Sequence, residues 1–143
     1  MNIAKIMVPK AMTVCLEESA SIRKAVDVMR RHGYTAIPVL DSAGKYIGCV
    51  NDRDFLRYIV TQGHADPGEH ERTSVGDIMR RDHYMPVPIT ATEDQIIDAA
   101  IRQNFVPVVD DRGCLCGIIT RRMIIADLAG RPLPPTEGEF TEK

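Results

Sequence analysis

Tryptophan is absent, and aromatic residues make up only 5% of the chain. Such scarcity argues against a single-stranded nucleic-acid surface, which needs rings to stack on. No excess of either charge is present: the formal net charge is −2, a balance that draws neither nucleic acid nor an anionic membrane. No apolar run approaches the roughly 18 residues of a membrane span, and the opening MNIAKIMVPK lacks the apolar core of a secretory signal. The expectation is a cytoplasmic protein with neither nucleic acid nor membrane as partner. The four cysteines, Cys15, Cys49, Cys114 and Cys116, contain no CxxC pair, and they read as reduced thiols serving as small strand hydrophobes. No nucleophile–base pair, metal-ligand spacing or Gly-rich phosphate loop stands out. No catalytic residue, metal site or cofactor is therefore expected, and the chain does not read as an enzyme.

What is present is an ordinary globular composition, 44% hydrophobic and 27% charged over 143 residues, enough for one domain or two small intertwined ones. Gly33 to Asp54, GYTAIPVLDSAGKYIGCVNDRD, reads as an apolar strand, a turn, a second strand and a polar helix start. A weaker copy, NFVPVVDDRGCLCGIITRRM, runs from Asn104 to Met123. Ahead of the first copy, Ser19 or Ser21 caps a helix whose Ile22, Ala25, Val26 and Met29 share a face, with Gly33 ending it. Pro38 cannot donate to a ladder, so it is expected at a strand end or an edge. Phe55, Leu56, Ile59 and Val60 mark a second helix.

Residues 63–73, GHADPGEHERT, lack apolar periodicity and read as a linker whose His64 and His70 are solvated. The pattern then restarts. Val75, Ile78 and Met79 restate Ile3, Ile6 and Met7; Pro86–Ile89 restates the short strand Thr13–Leu16; and Thr92 to Gln95 is a capping box before Ile96, Ile97 and Ile101. Met123, Ile124, Ile125 and Leu128 form the closing helix. The predicted organisation is repeat 1 over 1–62, a linker over 63–73, repeat 2 over 74–130 and a flexible tail over 131–143. Each repeat is strand, helix, strand, strand, helix behind an extra helical turn. Neither buries enough apolar surface alone, so the two are expected to pack sheet against sheet with approximate twofold symmetry.

The pattern resembles the CBS domain, and in particular a tandem pair of them, a Bateman module. The resemblance rests on Ile6-Met7, Ile22 to Ala25, Gly33, Ile37 to Asp41, Gly44 and Gly48 to Asp54. In the second half it rests on Ile78-Met79, Ile96 to Ala99, Val106 to Asp110, Gly113 and Gly117 to Thr120. It implies an α+β fold, a tandem CBS-domain pair of two βαββα repeats. GYTAIPVLD and GIITRR further resemble the stand-alone cyclic di-AMP-binding CBS proteins of Gram-positive bacteria.

In nucleotide-binding members of that family, a strand ends in Gly, two apolar residues, Ser or Thr, two variable residues and Asp, the Asp contacting ribose and the hydroxyl contacting phosphate. On that pattern Asp54 matches the ribose position while Asn51 replaces the hydroxyl; Thr120 matches the hydroxyl while Met123 replaces the Asp. The resemblance also places Met12, Thr13 and Val14 on one side of the base and Tyr34, Thr35, Ala36, Ile37 and Pro38 on the other. Tyr34 either stacks on a purine or is half-buried packing. Asn51 and Asp54 are equally a helix cap and its capping-box partner.

The phosphate argument has a physical basis of its own. Arg121 and Arg122 stand in the first turn of a helix, where cations oppose the macrodipole by up to about 1 kcal/mol each. An anion between the helix amides and the guanidiniums relieves that conflict. Solvation, or ion pairs to Asp110, Asp111 or a dimer partner, is the alternative. The leading expectation is a regulatory module that binds an adenine nucleotide in the inter-repeat cleft, forms a homodimer and signals to a separate, unidentified target protein. Cyclic di-AMP is favoured, with AMP, ADP or ATP otherwise: Asp54 suits free ribose hydroxyls, and the arginine pair suits the cyclic ligand. A ligand-free dimerisation module is the alternative.

Overall fold

The computed structural model describes residues 1–62 and 67–135. Its elements in chain order are α1 (Ile3–Ile6), β1 (Val8–Pro9), a 3-10 turn (Lys10–Met12), β2 (Leu16–Glu17), α2 (Ile22–His32), β3 (Ala36–Leu40), β4 (Tyr46–Asn51) and α3 (Asp52–Gln62). There follow α4 (Pro67–Arg72), α5 (Val75–Ile78), β5 (Val87–Pro88), α6 (Glu93–Arg102), β6 (Phe105–Val109), β7 (Leu115–Thr120) and α7 (Arg121–Leu128). Two compact units result among the described residues: Cys15–His83, and Met1–Val14 together with residues 84–135.

In the Cys15–His83 unit the sheet order is β2-β3-β4, with β2 parallel and β4 antiparallel to β3. Ser21 caps α2 by accepting from the Lys24 amide at 3.1 Å, and Gly33 ends it with a left-handed φ of 71°. Arg30, Arg31 and His32 occupy the last turn, where cations complement the helix dipole. The Asp41 carboxylate closes the β3–β4 turn by accepting from the Ala43 and Lys45 amides.

Pro38 is not at a strand end or an outer edge. It sits inside β3, the central strand, opposite Cys49. The reason is the brevity of β2, which pairs only with Val39 and Leu40. The ladder on that side asks no donor of Pro38, so the missing N–H costs nothing. Pro107 repeats the arrangement in β6, where β5 reaches only Val108 and Val109.

The segment read as a linker also departs from expectation, since Pro67–Arg72 forms α4. Tertiary contact supplies what periodicity did not: α4 packs on α2, Arg23 pairs with Glu71 at 3.1 Å, and His70 meets the Tyr58 ring edge-on at 5.7 Å. His70 is thus a packed residue, not a solvated loop histidine. His64 and the tail residues 136–143 lie outside the described residues.

In the other unit the sheet order is β1-β7-β6-β5. Its core joins Ile3 and Ile6 of α1 to Ile96 of α6, Val106 and Val108 of β6, Ile119 of β7 and Met123 of α7. Thr92 and Gln95 form the expected capping box, at 2.9 and 3.3 Å. Asp110 closes the β6–β7 turn as Asp41 does its own, and the amides of Cys114 and Arg112 that it accepts hold its carboxyl below the usual range.

Each repeat's opening helical turn therefore belongs with the sheet of the other repeat. α1 and β1 cover β7, while α5 and Arg80 cover β4 through an Arg80–Cys49 bridge. Two glycines permit it. A Cβ at Gly117 would collide with the Val8 carbonyl and the Met7 side chain; one at Gly48 would lie 2.6 Å from the Met79 methyl. Among the described residues no helix is long and apolar enough to cross a membrane.

Candidate functional site

On the Cys15–His83 unit, the β3–β4 register brings the start of one strand beside the end of the other. Ala36 lies opposite Asn51 and Ile37 opposite Val50, and the Asp52 amide donates to the Thr35 carbonyl at 3.1 Å. Thr35, Ala36 and Asn51 are thus neighbours. Ala36, Ile37 and Pro38 are buried within the strand. Tyr34 is 5% exposed, and its ring stacks on His32 at 5.1 Å. One face of the ring expected to receive a purine already carries an imidazole.

Asn51 and Asp54 form the reciprocal cap of α3. Asn51 Oδ1 accepts from the Asp54 amide at 3.1 Å, and Asp54 Oδ2 accepts from the Asn51 amide at 2.9 Å. Asp54 is 1% exposed. Its Oδ1 takes a 2.9 Å hydrogen bond from Arg57 Nη2, which also donates to the Ile78 carbonyl at 2.8 Å. That guanidinium neutralises a buried carboxylate and ties α3 to α5. It is a residue the site reading missed, although an acid and a base three apart on a helix are a readable pair.

Asp54 lines a cavity of about 420 Å³ bounded by α3, α4 and α5, with Arg57, Thr61, Glu69, Thr73 and Asp77 among its walls. None of Tyr34 to Pro38 lines it. Asp54 and the strand residues read as a base wall therefore do not meet in that cavity.

In the other unit, β7 ends at Thr120, which is 8% exposed and caps α7 by accepting from the Met123 amide at 3.3 Å. The first turn of α7 holds no acid. Arg121 is engaged: its Nε donates to the Ala100 carbonyl at 2.9 Å and its Nη1 to Asn104 Oδ1 at 3.1 Å. It thereby satisfies one of the orphan carbonyls ending α6. Neither solvation nor an ion pair with Asp110 describes it, because Asp110 faces Arg112 at the far end of the hairpin. Phe105, not Asp110, pairs with Thr120, and five strand residues span about 17 Å. Arg122 is exposed on the same turn.

Met12, Thr13 and Val14 also belong to this unit. β1 runs antiparallel to β7, with Val8 on Ile118 and Pro9 on Gly117, and a 3-10 turn follows over Lys10–Met12. The Thr13 hydroxyl donates back to the Pro9 carbonyl at 2.9 Å.

Residues 3–61 and 75–130 each match the model of the CBS domain. The chain belongs to the CBS domain family. With two sheets and flanking helices, it is a tandem CBS pair of the α+β class. The cyclic di-AMP receptor B of Bacillus subtilis (strain 168) is 27% identical over 111 residues, covering 76% of this chain and 73% of the receptor. An inosine-5'-monophosphate dehydrogenase of Aquifex aeolicus (strain VF5) is 27% identical over 78% of this chain, which spans 22% of the enzyme. Across three such longer relatives the chain spans between 21% and 48% of their length. Among solved structures, Listeria monocytogenes CbpB in complex with c-di-AMP matches with a TM-score of 0.79 at 23% identity, covering 91% of this chain and 96% of that one. CBSX2 in complex with AMP matches with a TM-score of 0.71 at 24% identity, over 90% and 96%. At such identities the likeness is one of fold.

The CBS pattern also accounts for the two glycines under the crossing segments. Gly48 and Gly117 open the strand-end motif in their repeats, and in each a methionine and the residue after it pass directly over the glycine. Among the described residues, no cluster of His, Cys, Asp or Glu is arranged to hold a metal ion.

Proposed function

We propose that this CBS pair is a regulatory module that binds an adenine nucleotide, cyclic di-AMP in preference to AMP, ADP or ATP, and signals to a separate protein. Base and ribose contacts fall to Tyr34, Thr35, Ala36, Ile37, Pro38, Asn51 and Asp54, with Met12, Thr13 and Val14; phosphate contacts fall to Thr120 and Arg122, with Arg121 bracing the turn. The observation carrying the reading is the contrast between two equivalent helix starts. The first turn of α3 holds Asp52 and Asp54, whereas that of α7 holds Arg121 and Arg122 and no acid. A helix N-terminus with added guanidiniums favours an anion.

Cyclic di-AMP is preferred because each Asp54 oxygen already accepts a bond, from Asn51 or from Arg57, so free ribose hydroxyls gain least there. The B. subtilis receptor, a relative of similar length, supports the same ligand. Ligand control of a partner requires different affinities for two states of the module. No catalytic role is assigned to any residue.

Isothermal titration of nucleotide-stripped protein with cyclic di-AMP, AMP, ADP and ATP tests the reading. Arg122→Ala should weaken binding about tenfold or more, in keeping with loss of a charge-assisted phosphate contact. No heat with any of the four ligands would sink it.

A second reading, dimerisation without ligand, rests on repeated exposure. Leu56 and Ile59 on α3, and Ile125 and Leu128 at the matching positions of α7, are each at least 40% exposed. Homodimerisation through these faces is proposed alongside ligand binding; if it persists where no nucleotide binds, the second reading stands alone.

A further inference from the structure

Arg57 serves two acceptors through a single nitrogen. Its Nη2 donates to Asp54 Oδ1 at 2.9 Å and to the Ile78 carbonyl at 2.8 Å. That nitrogen carries two protons, and each bond uses one. Ile78 ends α5, so its carbonyl is one the helix leaves unmet and the guanidinium satisfies. α5 thereby fixes the guanidinium against the carboxylate. The other oxygen, Oδ2, accepts from the Asn51 amide at 2.9 Å. The result is an acid only 1% exposed, beside an arginine side chain that is 46% exposed.

The two repeats differ here by both partners at once. Asn51 and Thr120 close equivalent strand pairs, so Asp54 answers to Met123 and Arg57 to Ala126. Where the acid is missing, the arginine is missing with it. Asp54, Arg57 and Ile78 also line the same cavity of about 420 Å³, a volume that admits a small ligand. A hydroxyl reaching Asp54 from there meets a carboxylate already held by a charge-assisted bond. Displacing Arg57 breaks that bond and strands the Ile78 carbonyl as well, because both share one nitrogen.

We infer that Arg57 is a specificity-determining residue: held in place by α5, it masks Asp54 from free ribose hydroxyls and so tells mononucleotides from the cyclic ligand. The inference deepens the nucleotide-binding reading above and rests on it. Arg57 acts through Asp54, and the discrimination is lost when the guanidinium is removed.

Isothermal titration of the nucleotide-stripped full chain with AMP and with its ribose-dideoxy analogue, beside cyclic di-AMP, tests it. The analogue lacks both hydroxyls, so the ratio of the two affinities reads the hydroxyls alone. Wild-type protein should bind the two within about threefold of each other, or neither. Arg57→Met, which keeps the stem and removes the guanidinium, should prefer AMP by about tenfold or more, the scale of a hydrogen bond to a charged group. A purely structural Arg57 would change both affinities alike and leave the ratio unmoved. Arg57→Gln is the second variant if the first fails to fold. Wild-type protein that already prefers AMP tenfold overturns the mask, and so does a folded variant that fails to discriminate. If neither variant folds, the wild-type ratio decides. Wild-type protein that binds none of the three ligands removes the nucleotide reading itself, and this inference with it.

Discussion

Asp54 and Arg57 show how one residue serves two accounts. The carboxylate caps α3, is almost wholly buried and leans on a guanidinium that also holds α5. Removing the cation leaves a buried charge uncompensated, which is far costlier than losing an exposed pair. Arg57→Ala should therefore destabilise the protein by about 2 kcal/mol in urea unfolding, the scale of a lost charge-assisted hydrogen bond to a buried group, whereas Arg80→Ala, which breaks an exposed pair with Asp82, should leave the unfolding midpoint nearly unchanged. Cys49 gives a second residue-scale expectation. Burial inside β4 pushes its thiol well above the ordinary value of 9.0, so it remains protonated where an unfolded thiol ionises. The unfolded state then releases the proton first, and stability falls as pH rises beyond about 9. Below that value Cys49 contributes no pH dependence. Alkylation by iodoacetamide at pH 8, followed by mass spectrometry, should modify Cys15, Cys114 and Cys116 well before Cys49; equal rates would contradict its burial.

Elements were read from the sequence where local chemistry decides them. Ser21, Gly33, the Thr92–Gln95 box and the Asp41 and Asp110 turns all stand where their side chains predict, because caps and turns are settled within a few residues. Pro38 and α4 depart from their local sequence signals for one common reason. Whether a proline's missing donor matters depends on how far the neighbouring strand extends, and whether a polar segment is helical depends on what it packs against. Neither fact lies within the segment itself. The close crossing over Gly117 is another such property. Gly117→Ala should displace β1 from β7 and cost about 2 kcal/mol, seen as faster hydrogen exchange in β7 while β3 and β4 keep their protection. Unchanged exchange in β7 would mean that β1 contributes little to this sheet.

At the scale of the whole molecule, the exposed apolar positions of α3 and α7 recur at matching places in the two repeats. In sedimentation velocity the wild type is expected to run as a dimer and the paired change Leu56→Glu with Ile125→Glu as a folded monomer; a variant that still dimerises would move the interface elsewhere. The repeat, its α+β class and its membership of the CBS family were legible in the sequence, because apolar period, caps and turn acids recur in register and each is a local signal. The reciprocal cap of Asn51 and Asp54 was legible for the same reason. Only the tertiary structure decided what those groups hold. It bound Arg121 to the end of α6, gave Asp54 its arginine, and assigned each opening helical turn to the sheet of the other repeat. These outcomes depend on which surfaces meet across long sequence separations, and no spacing along the chain encodes that directly.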